Sequence, residues 1–215
     1  RARADLDDVR AARNALAALY PLPADAWLEW VDDEARIAVG ADELGEAVAV
    51  CLRGTEDGLS VPLWLRYAEL AIQAHAPEMV DGGEPAADGE GGRTRVREAF
   101  ERALTACGLH AAEGGKVWDA YEQFECAIEA AVRPAGGADH AAAAERVRKL
   151  FRRRLGVPML DMEAARRRYE AWEGAQPAAG KGAGASVLQP YDAALAAMRK
   201  RRPVELKISA AAASA

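Results

Sequence analysis

Residues 96–130 read VREAFERALTACGLHAAEGGKVWDAYEQFECAIEA. This stretch contains two patterns that each place their apolar side chains on one face of a helix. The first is a set of apolar residues four positions apart, namely Val96, Phe100 and Leu104. The second is a set of aromatic residues three positions apart that ends in a glutamate, namely Trp118, Tyr121, Phe124 and Glu125. The stretch therefore predicts two helices that pack against each other through these faces.

Both patterns recur along the chain. The aromatic pattern, which we assign to the first helix of each repeat unit, also occurs as Trp27, Trp30 and Glu34, as Trp64 and Tyr67, and as Tyr169, Trp172 and Glu173. The second of the four units has Leu70-Ala71 where the others close with a glutamate. The apolar pattern, which we assign to the partner helix, also occurs as Leu44, Val48, Leu52, as Val147, Phe151, Leu155, and as Val187, Tyr191, Leu195, with an incomplete copy around Val9 and Leu16.

The spacing of the aromatic pattern is nearly constant. Trp27 and Trp64 are 37 residues apart, and Trp64 and Trp118 are 54 apart, or 38 without the Gly-rich segment 77–92. A period in this range indicates a helical repeat array, in which each helix pair buries its open face on a neighbour. The sequence therefore predicts an all-α, right-handed superhelical solenoid of antiparallel helix pairs with long exposed surfaces.

The domain organisation follows from this period. We expect one repeat domain over residues 1–208 and a disordered tail at 209–215. Within the domain we place a half unit at 1–20 and units at about 23–54, 60–108, 114–156 and 160–202. Three Gly-rich and Pro-rich insertions are predicted to be loops, at 77–92, 134–144 and 174–185. Because the chain starts with Arg rather than Met, we expect a piece of a longer protein.

The aromatic pattern of the first helix resembles the half-a-tetratricopeptide (HAT) repeat of RNA-processing proteins. The ordinary tetratricopeptide repeat differs, because it has a period of about 34 and small residues where its helices touch. Three segments narrow the resemblance to the amino-terminal HAT region of the U4/U6 small nuclear ribonucleoprotein (snRNP) recycling-factor family. They are PLPADAWLEWVDDEARIA at 21–38, the stretch at 96–130, and LFRRRLGVPMLDMEAARRRYEAWE at 150–173. The insertions at 77–92 and 134–144 depart from the pattern of that family.

The resemblance implies a non-catalytic nuclear scaffold of mRNA splicing that helps the U4 and U6 RNAs pair again after each splicing cycle. It implies spliceosomal snRNP proteins as partners. It also implies that a deubiquitinase docks, and a homodimer forms, mainly through a second half of the repeats that lies outside this chain. In that family, RNA is held mainly by RNA-recognition domains that follow the repeats. No membrane partner is expected.

Residues that could support catalysis or metal binding are sparse. The four serines, Ser60, Ser186, Ser209 and Ser214, do not lie in a nucleophile-elbow motif. The histidines at 75, 110 and 140 are thirty or more residues apart, and neither an HExxH nor a CxxC motif is present. Residues 174–182 have five residues between glycines where a phosphate-binding loop needs four. We therefore expect no enzyme activity, no cofactor and no metal.

The cysteines and the hydropathy indicate the cellular setting. Cys51, Cys107 and Cys126 are odd in number and far apart, which favours reduced thiols in the nucleus or cytosol over a disulfide framework. No apolar run approaches the roughly 18 residues that a membrane helix needs.

Charge is divided along the chain. Residues 145–207 contain fifteen Arg and Lys against seven Asp and Glu, a net of +8, whereas residues 1–144 contain thirteen against twenty-seven, a net of −14. Two basic clusters lie within residues 145–207. The triplets Arg152, Arg153, Arg154 and Arg166, Arg167, Arg168 form either a stripe that contacts RNA or an acidic partner, or a solvated helix face. The cluster Arg199, Lys200, Arg201, Arg202 is either a nuclear import signal or the basic last turn of a helix.

Two other functions stay open at the level of sequence. The chain could be a HAT scaffold of another RNA pathway, such as mRNA 3′-end cleavage or ribosomal RNA processing. It could also be a direct RNA-binding module that uses its Arg-rich carboxy-terminal half.

Overall fold

The computed structural model describes residues 2–81, 84–85, 90–176 and 184–212. Within this part of the chain there are ten helices and two short strands. The helices are α1 (Ala2–Leu19), α2 (Ala24–Ile37), α3 (Ala41–Asp57), α4 (Val61–Met79), α5 (Glu90–Cys107), α6 (Gly115–Val132), α7 (Gly137–Leu155), α8 (Met162–Gly174), α9 (Gly184–Leu188) and α10 (Tyr191–Ala212). The strands β1 (Val80–Asp81) and β2 (Glu84–Pro85) pair in antiparallel fashion, with Val80 opposite Pro85.

The helices are arranged as successive antiparallel pairs. Helices α2, α4, α6 and α8 carry the aromatic pattern, and α1, α3, α5, α7 and α9–α10 carry the apolar partner pattern. Helix α4 packs against α3 before it and α5 after it, and α6 packs in the same way between α5 and α7. The first helices also contact one another, α2 against α4 and α4 against α6. The predicted all-α helical-repeat fold is confirmed.

Proline and serine determine where two of the first helices begin. Pro23 is the N-cap residue of α2 and has an extended conformation, with φ −66° and ψ 155°. Ser60 precedes α4, and its Oγ accepts a hydrogen bond from the Leu63 amide at 3.3 Å. Pro62 follows in the first turn of α4, where a helix leaves its amide groups without intrahelical partners and therefore tolerates proline.

The buried side chains form two adjoining clusters between the helix pairs. One cluster joins α2, α3 and α4 to Ala99 in the middle of α5, and the other extends from α4 to α10. Trp64 on α4 packs against both clusters. Rings of neighbouring helices are in contact, with centroids 4.7 Å apart for Phe100 and Tyr121 and 5.3 Å apart for Phe151 and Tyr169. The core is thus a strip that runs from one helix pair to the next.

Gly54 allows α3 to lie unusually close to α2. A Cβ atom at this position would be 2.7 Å from Cγ of the Trp27 ring. That ring is held in place, because its Nε1 donates a hydrogen bond to Asp57 Oδ2 at 2.8 Å and its side chain is buried. A side chain at position 54 would therefore force the two helices apart.

The prediction of a loop over 134–144 is wrong for most of that segment. Gly136 and Gly137 have φ angles of 65° and 71° and form the turn, and α7 begins at Gly137. The alanines that follow are strong helix formers, and Ala143 and Ala144 are buried. His140 stabilises the first turns of α7, because its Nε2 lies 2.8 Å from Oε1 of Glu129 on α6.

The other two predicted loops are also shorter than expected. Helix α4 continues through Pro77 to Met79, and α5 begins at Glu90, so only the middle of 77–92 is non-helical in the described residues. The helical part of α8 ends at Gly174, and α9 begins at Gly184. Residues 82–83, 86–89 and 177–183 of these predicted loops lie outside the described residues.

The last partner helix and the tail differ from the prediction as well. The pattern Val187, Tyr191, Leu195 is divided between α9 and α10, because Pro190 cannot continue a helix from the preceding turn. The predicted disordered tail is wrong for residues 209–212, where alanines extend α10 to Ala212. Residues 213–215 lie outside the described part of the chain.

Candidate functional site

The aromatic side chains of the four first helices lie between the helix pairs. Trp27, Trp30, Tyr67, Trp118, Tyr121 and Tyr169 are buried, and Trp64, Phe124 and Trp172 are partly buried against the core. Several of their polar atoms have partners within the fold, as when Trp118 Nε1 donates to the Gly108 carbonyl at 2.9 Å. These residues therefore build the scaffold between the helix pairs.

The glutamates that close three of the first helices each bind an arginine of the preceding partner helix. Glu34 on α2 binds Arg10 on α1, with 2.9 Å between Nε and Oε1. Glu125 on α6 binds Arg97 on α5, with 2.6 Å between Nε and Oε1. The fourth unit repeats the arrangement in a bidentate form: two guanidinium nitrogens of Arg148 lie 3.0 Å from the two carboxylate oxygens of Glu173. These pairs connect one repeat unit to the next.

The main donor to each of these glutamates is an arginine, because a buried carboxylate needs a charged or strongly hydrogen-bonding partner. Arg10 in particular holds the pKa of Glu34 below its usual range, with a further contribution from the Trp30 indole, although burial acts in the opposite direction. Glu34 thus stays ionised and bound to Arg10, which fits a structural role better than acid–base catalysis.

A signal for these pairs is present in the sequence. The arginine directly follows the first residue of the apolar pattern in its partner helix, as in Val9-Arg10, Val96-Arg97 and Val147-Arg148. The partner helix before the second unit has Leu44-Gly45 at this position, and that unit also lacks the closing glutamate. Arginine and glutamate are thus present together or absent together.

The first basic triplet, on α7, does not form a free RNA-binding stripe. Arg154 is 2% exposed and binds the Gly115 carbonyl at 3.0 Å and the carboxylate of Asp119 at 2.6 Å, so the prediction that it contacts a partner is wrong. Arg153 is exposed but binds Glu101 and lies over the Trp118 ring, 5.4 Å from its centroid.

The second basic triplet, on α8, is only partly available. Arg168 shares Asp119 and Glu122 with Arg154, so the structure joins the two triplets through the half-buried carboxylate of Asp119 and the buried carboxylate of Glu122. Arg166 binds Glu170 of its own helix at 2.7 Å. Arg167 is exposed. Burial raises the pKa of Glu122 to about 7, although Arg154 and Arg168 act in the opposite direction.

The basic cluster at 199–202 lies in the middle of α10. All four side chains are exposed, and the helix continues through Pro203 to Ala212. The alternative prediction, that this cluster is the last turn of a helix, is therefore wrong. Among these four residues, Arg201 binds Glu205 at 3.2 Å.

Two surface depressions lie between consecutive partner helices. A groove of about 590 Å³ separates α1 from α3 and is lined by Trp30 and Glu34 of α2. A smaller depression of about 160 Å³, which we call the basic cleft, lies where α5, α6 and α7 meet. Its lining residues are Arg97, Tyr121, Glu125, Arg146, Lys149, Leu150 and Arg153.

The residues considered for catalysis or metal binding do not converge. In the described ranges, no three His, Cys, Asp or Glu side chains are grouped so that they could hold a metal ion. Burial raises the pKa of Cys51 to about 12, of Cys107 to about 11 and of Cys126 to about 12, so these thiols stay protonated. Within the same part of the chain, no helix is both long and apolar enough to span a bilayer.

Comparison with known proteins identifies the family to which this stack of helix pairs belongs. The family model described as Suppressor of forked protein (Suf) matches residues 1–211. The chain belongs to the Suf family.

The relatives of this Suf-family chain are RNA-processing factors. The mouse protein named "Spliceosome associated factor 3, U4/U6 recycling protein" is 35% identical over 206 residues, which is 95% of this chain and 18% of the relative. The human protein of the same name is 34% identical with the same coverage. The Neurospora crassa "mRNA 3'-end-processing protein rna-14" is 27% identical over 176 residues, or 80% of this chain and 14% of the relative. The chain thus spans less than a fifth of the length of these relatives.

The comparisons confirm the predicted resemblance to the U4/U6 recycling-factor family. They also agree with the expectation that this Suf-family chain is a helical-repeat protein of RNA processing. Because the aligned region covers most of the chain, the shared feature is the array of helix pairs described above.

Proposed function

We propose that this Suf-family chain is a non-catalytic, nuclear protein-docking scaffold of a splicing factor that assists reassembly of the U4/U6 snRNP. The observation that carries the proposal is the 35% identity over 95% of the chain to a relative named for U4/U6 recycling. The aromatic residues and glutamates of the repeats are engaged in the core, which leaves the outer helix faces for partner proteins. We propose spliceosomal snRNP proteins as the principal partners.

We propose that RNA is bound mainly by domains outside this chain. Arg154 is buried, and Arg153, Arg166 and Arg168 each bind a carboxylate of the fold. A direct RNA-binding stripe on α7 and α8 would have to break these ion pairs first. The proposal extends to a deubiquitinase partner and a homodimer, which the family resemblance implies for repeats beyond this region.

The experiment that tests the proposal is affinity recovery from nuclear extract. The tagged 215-residue chain is incubated with extract, and the bound U4 and U6 RNAs and snRNP proteins are quantified against U1 as an unrelated particle. We expect enrichment of U4 and U6 over U1, with treatment by ribonuclease leaving the directly bound snRNP proteins in place. Equal recovery of U1, U4 and U6 would contradict the proposal.

A second candidate is a scaffold for mRNA 3′-end processing. The observation in its favour is the similarity to the rna-14 relative, which is weaker in identity and covers less of the chain. The same extract experiment separates the two candidates. Recovery of cleavage and polyadenylation subunits without U4 and U6 would favour 3′-end processing.

A further inference from the structure

The basic cleft where α5, α6 and α7 meet contains cations that the fold does not fully neutralise. Lys149 is exposed, and within the described residues it has no ion-pair partner. The carboxylate nearest to Arg146 is that of Glu125, at 3.7 Å, and the Nε of Arg146 is buried without a hydrogen-bond acceptor. Lys149 and the side chain of Arg146, which is 38% exposed, therefore keep capacity to bind an anionic group.

The balance of charge in the cleft is positive. Its lining contains the four cations Arg97, Arg146, Lys149 and Arg153 and a single carboxylate, Glu125. Two further carboxylates approach from α5, with Glu90 bound to Arg97 and Glu101 bound to Arg153. These three carboxylates form ion pairs with Arg97 and Arg153. The remaining positive charge is concentrated at Arg146 and Lys149.

The cations of α7 are spaced to meet an extended peptide. Arg146, Lys149 and Arg153 lie at positions i, i+3 and i+7, on one face of the helix, and cover about 10.5 Å along its axis. Side chains on one face of an extended strand are about 6.6 Å apart. Two acidic residues at positions i and i+2 of a peptide are therefore closer together than the two ends of this row of cations. Leu150 and Tyr121 supply an apolar floor between the cations.

We propose that the basic cleft binds an acidic segment of a partner protein, whose carboxylates at positions i and i+2 contact Arg146 and Lys149. The inference rests on the proposed scaffold function, since it takes a protein as the ligand, and it specifies the place and the chemistry of docking. Paired charges of this kind contribute mainly specificity and association rate.

A protein ligand fits the cleft better than single-stranded RNA does. Proteins that bind single-stranded RNA stack bases on exposed aromatic rings, whereas Tyr121, the aromatic residue of the cleft, is 6% exposed. A cleft of about 160 Å³ accommodates one or two side chains of a peptide.

The test is fluorescence anisotropy of the 215-residue chain with a fluorescein-labelled 12-residue peptide of four Glu-Leu-Glu repeats at low ionic strength. We expect saturable binding that weakens at least about fivefold in the double variant R146Q/K149Q. The matched control is R199Q/K200Q, which removes the same charge from exposed positions of α10 and should change binding by less than about twofold. The single variant K149Q tests the cleft at an exposed residue, so the result does not depend on how Arg146 affects folding.

Three outcomes would overturn the proposal. Equal weakening in the two double variants would show that binding follows net charge alone. Tighter binding of a fluorescein-labelled 12-nucleotide oligouridylate, lost in R146Q/K149Q, would assign the cleft to RNA. Self-association of the chain in sedimentation, abolished by the same variant, would assign it to a second copy. Failure here leaves the recovery of U4 and U6 from extract intact, whereas failure of the proposed function abolishes that recovery.

Discussion

Replacing Arg97 by Met should destabilise the chain by roughly 3 kcal/mol, because it leaves the buried Glu125 carboxylate without its main partner. Glu125 is 2% exposed, and Arg97 contributes hydrogen bonds of 2.6 and 3.4 Å to it. Breaking a buried ion pair typically costs about 3–5 kcal/mol. We expect the lower end of this range, because Arg146 remains 3.7 Å from the same carboxylate.

A double-mutant cycle isolates the interaction between the two residues. The variants R97M, E125Q and R97M/E125Q are unfolded in urea and followed by circular dichroism at neutral pH. The coupling energy should be about 1.5–3 kcal/mol, because the double variant no longer buries an unpaired charge. The exposed pair Arg201–Glu205 is the matched control, and its coupling should stay near about 0.3–0.5 kcal/mol. A coupling between Arg97 and Glu125 as small as in the control would refute the assignment of this pair as a link between repeat units.

Three further predictions address packing, pH dependence and localisation. Gly54→Ala should destabilise the chain by about 1–3 kcal/mol in urea unfolding, because the new methyl group overlaps the Trp27 ring; a neutral or stabilising effect would contradict the close approach. Burial raises the pKa of Glu122 from 4.5 to about 7, so the native state binds the proton of this carboxyl more tightly than the unfolded state does. The contribution of Glu122 to stability therefore falls as the pH rises from 4.5 to about 7. The stability of Glu122→Gln relative to the unmodified chain should therefore increase by about 1–3 kcal/mol from about pH 5 to about pH 8, and a constant difference would contradict the raised pKa. Replacing residues 199–202 by glutamine should abolish nuclear accumulation of the chain fused to a reporter too large to diffuse through nuclear pores, and unchanged accumulation would exclude this cluster as the import signal.

The fold could be predicted from the sequence because its main signal is local and repeated. Trp118 and Tyr121 share a helix face by spacing alone, and the same face recurs at a nearly constant period. Loop boundaries were predicted less well. The Gly and Pro content of residues 134–144 predicts a loop. The alanines after Gly137 favour a helix instead, and Ala143 and Ala144 are buried.

The partners of the charged residues could not be predicted from local sequence. The burial of Arg154 depends on Asp119 of α6 and Asp161 before α8, which approach it only in the folded chain. The same applies to the basic cleft, which combines residues of α5, α6 and α7. The Arg–Glu pairs are an exception in part. Their residues recur at equivalent positions of the repeat. The second unit lacks both members of the pair, with Gly45 in place of the arginine and Ala71 in place of the glutamate, and this joint loss is a sequence signal that the two residues interact.

The central claim is that aromatic side chains between successive helix pairs hold the repeats together, and Trp118→Ala tests it most directly. Trp118 is 4% exposed, and truncation of a buried tryptophan costs about 3–5 kcal/mol. The control is Tyr20→Ala, since Tyr20 is 62% exposed and lies outside both repeat patterns; its effect should stay within about 0.5 kcal/mol. Urea unfolding of the two variants should show this difference. An effect of Trp118→Ala within about 0.5 kcal/mol would contradict the claim.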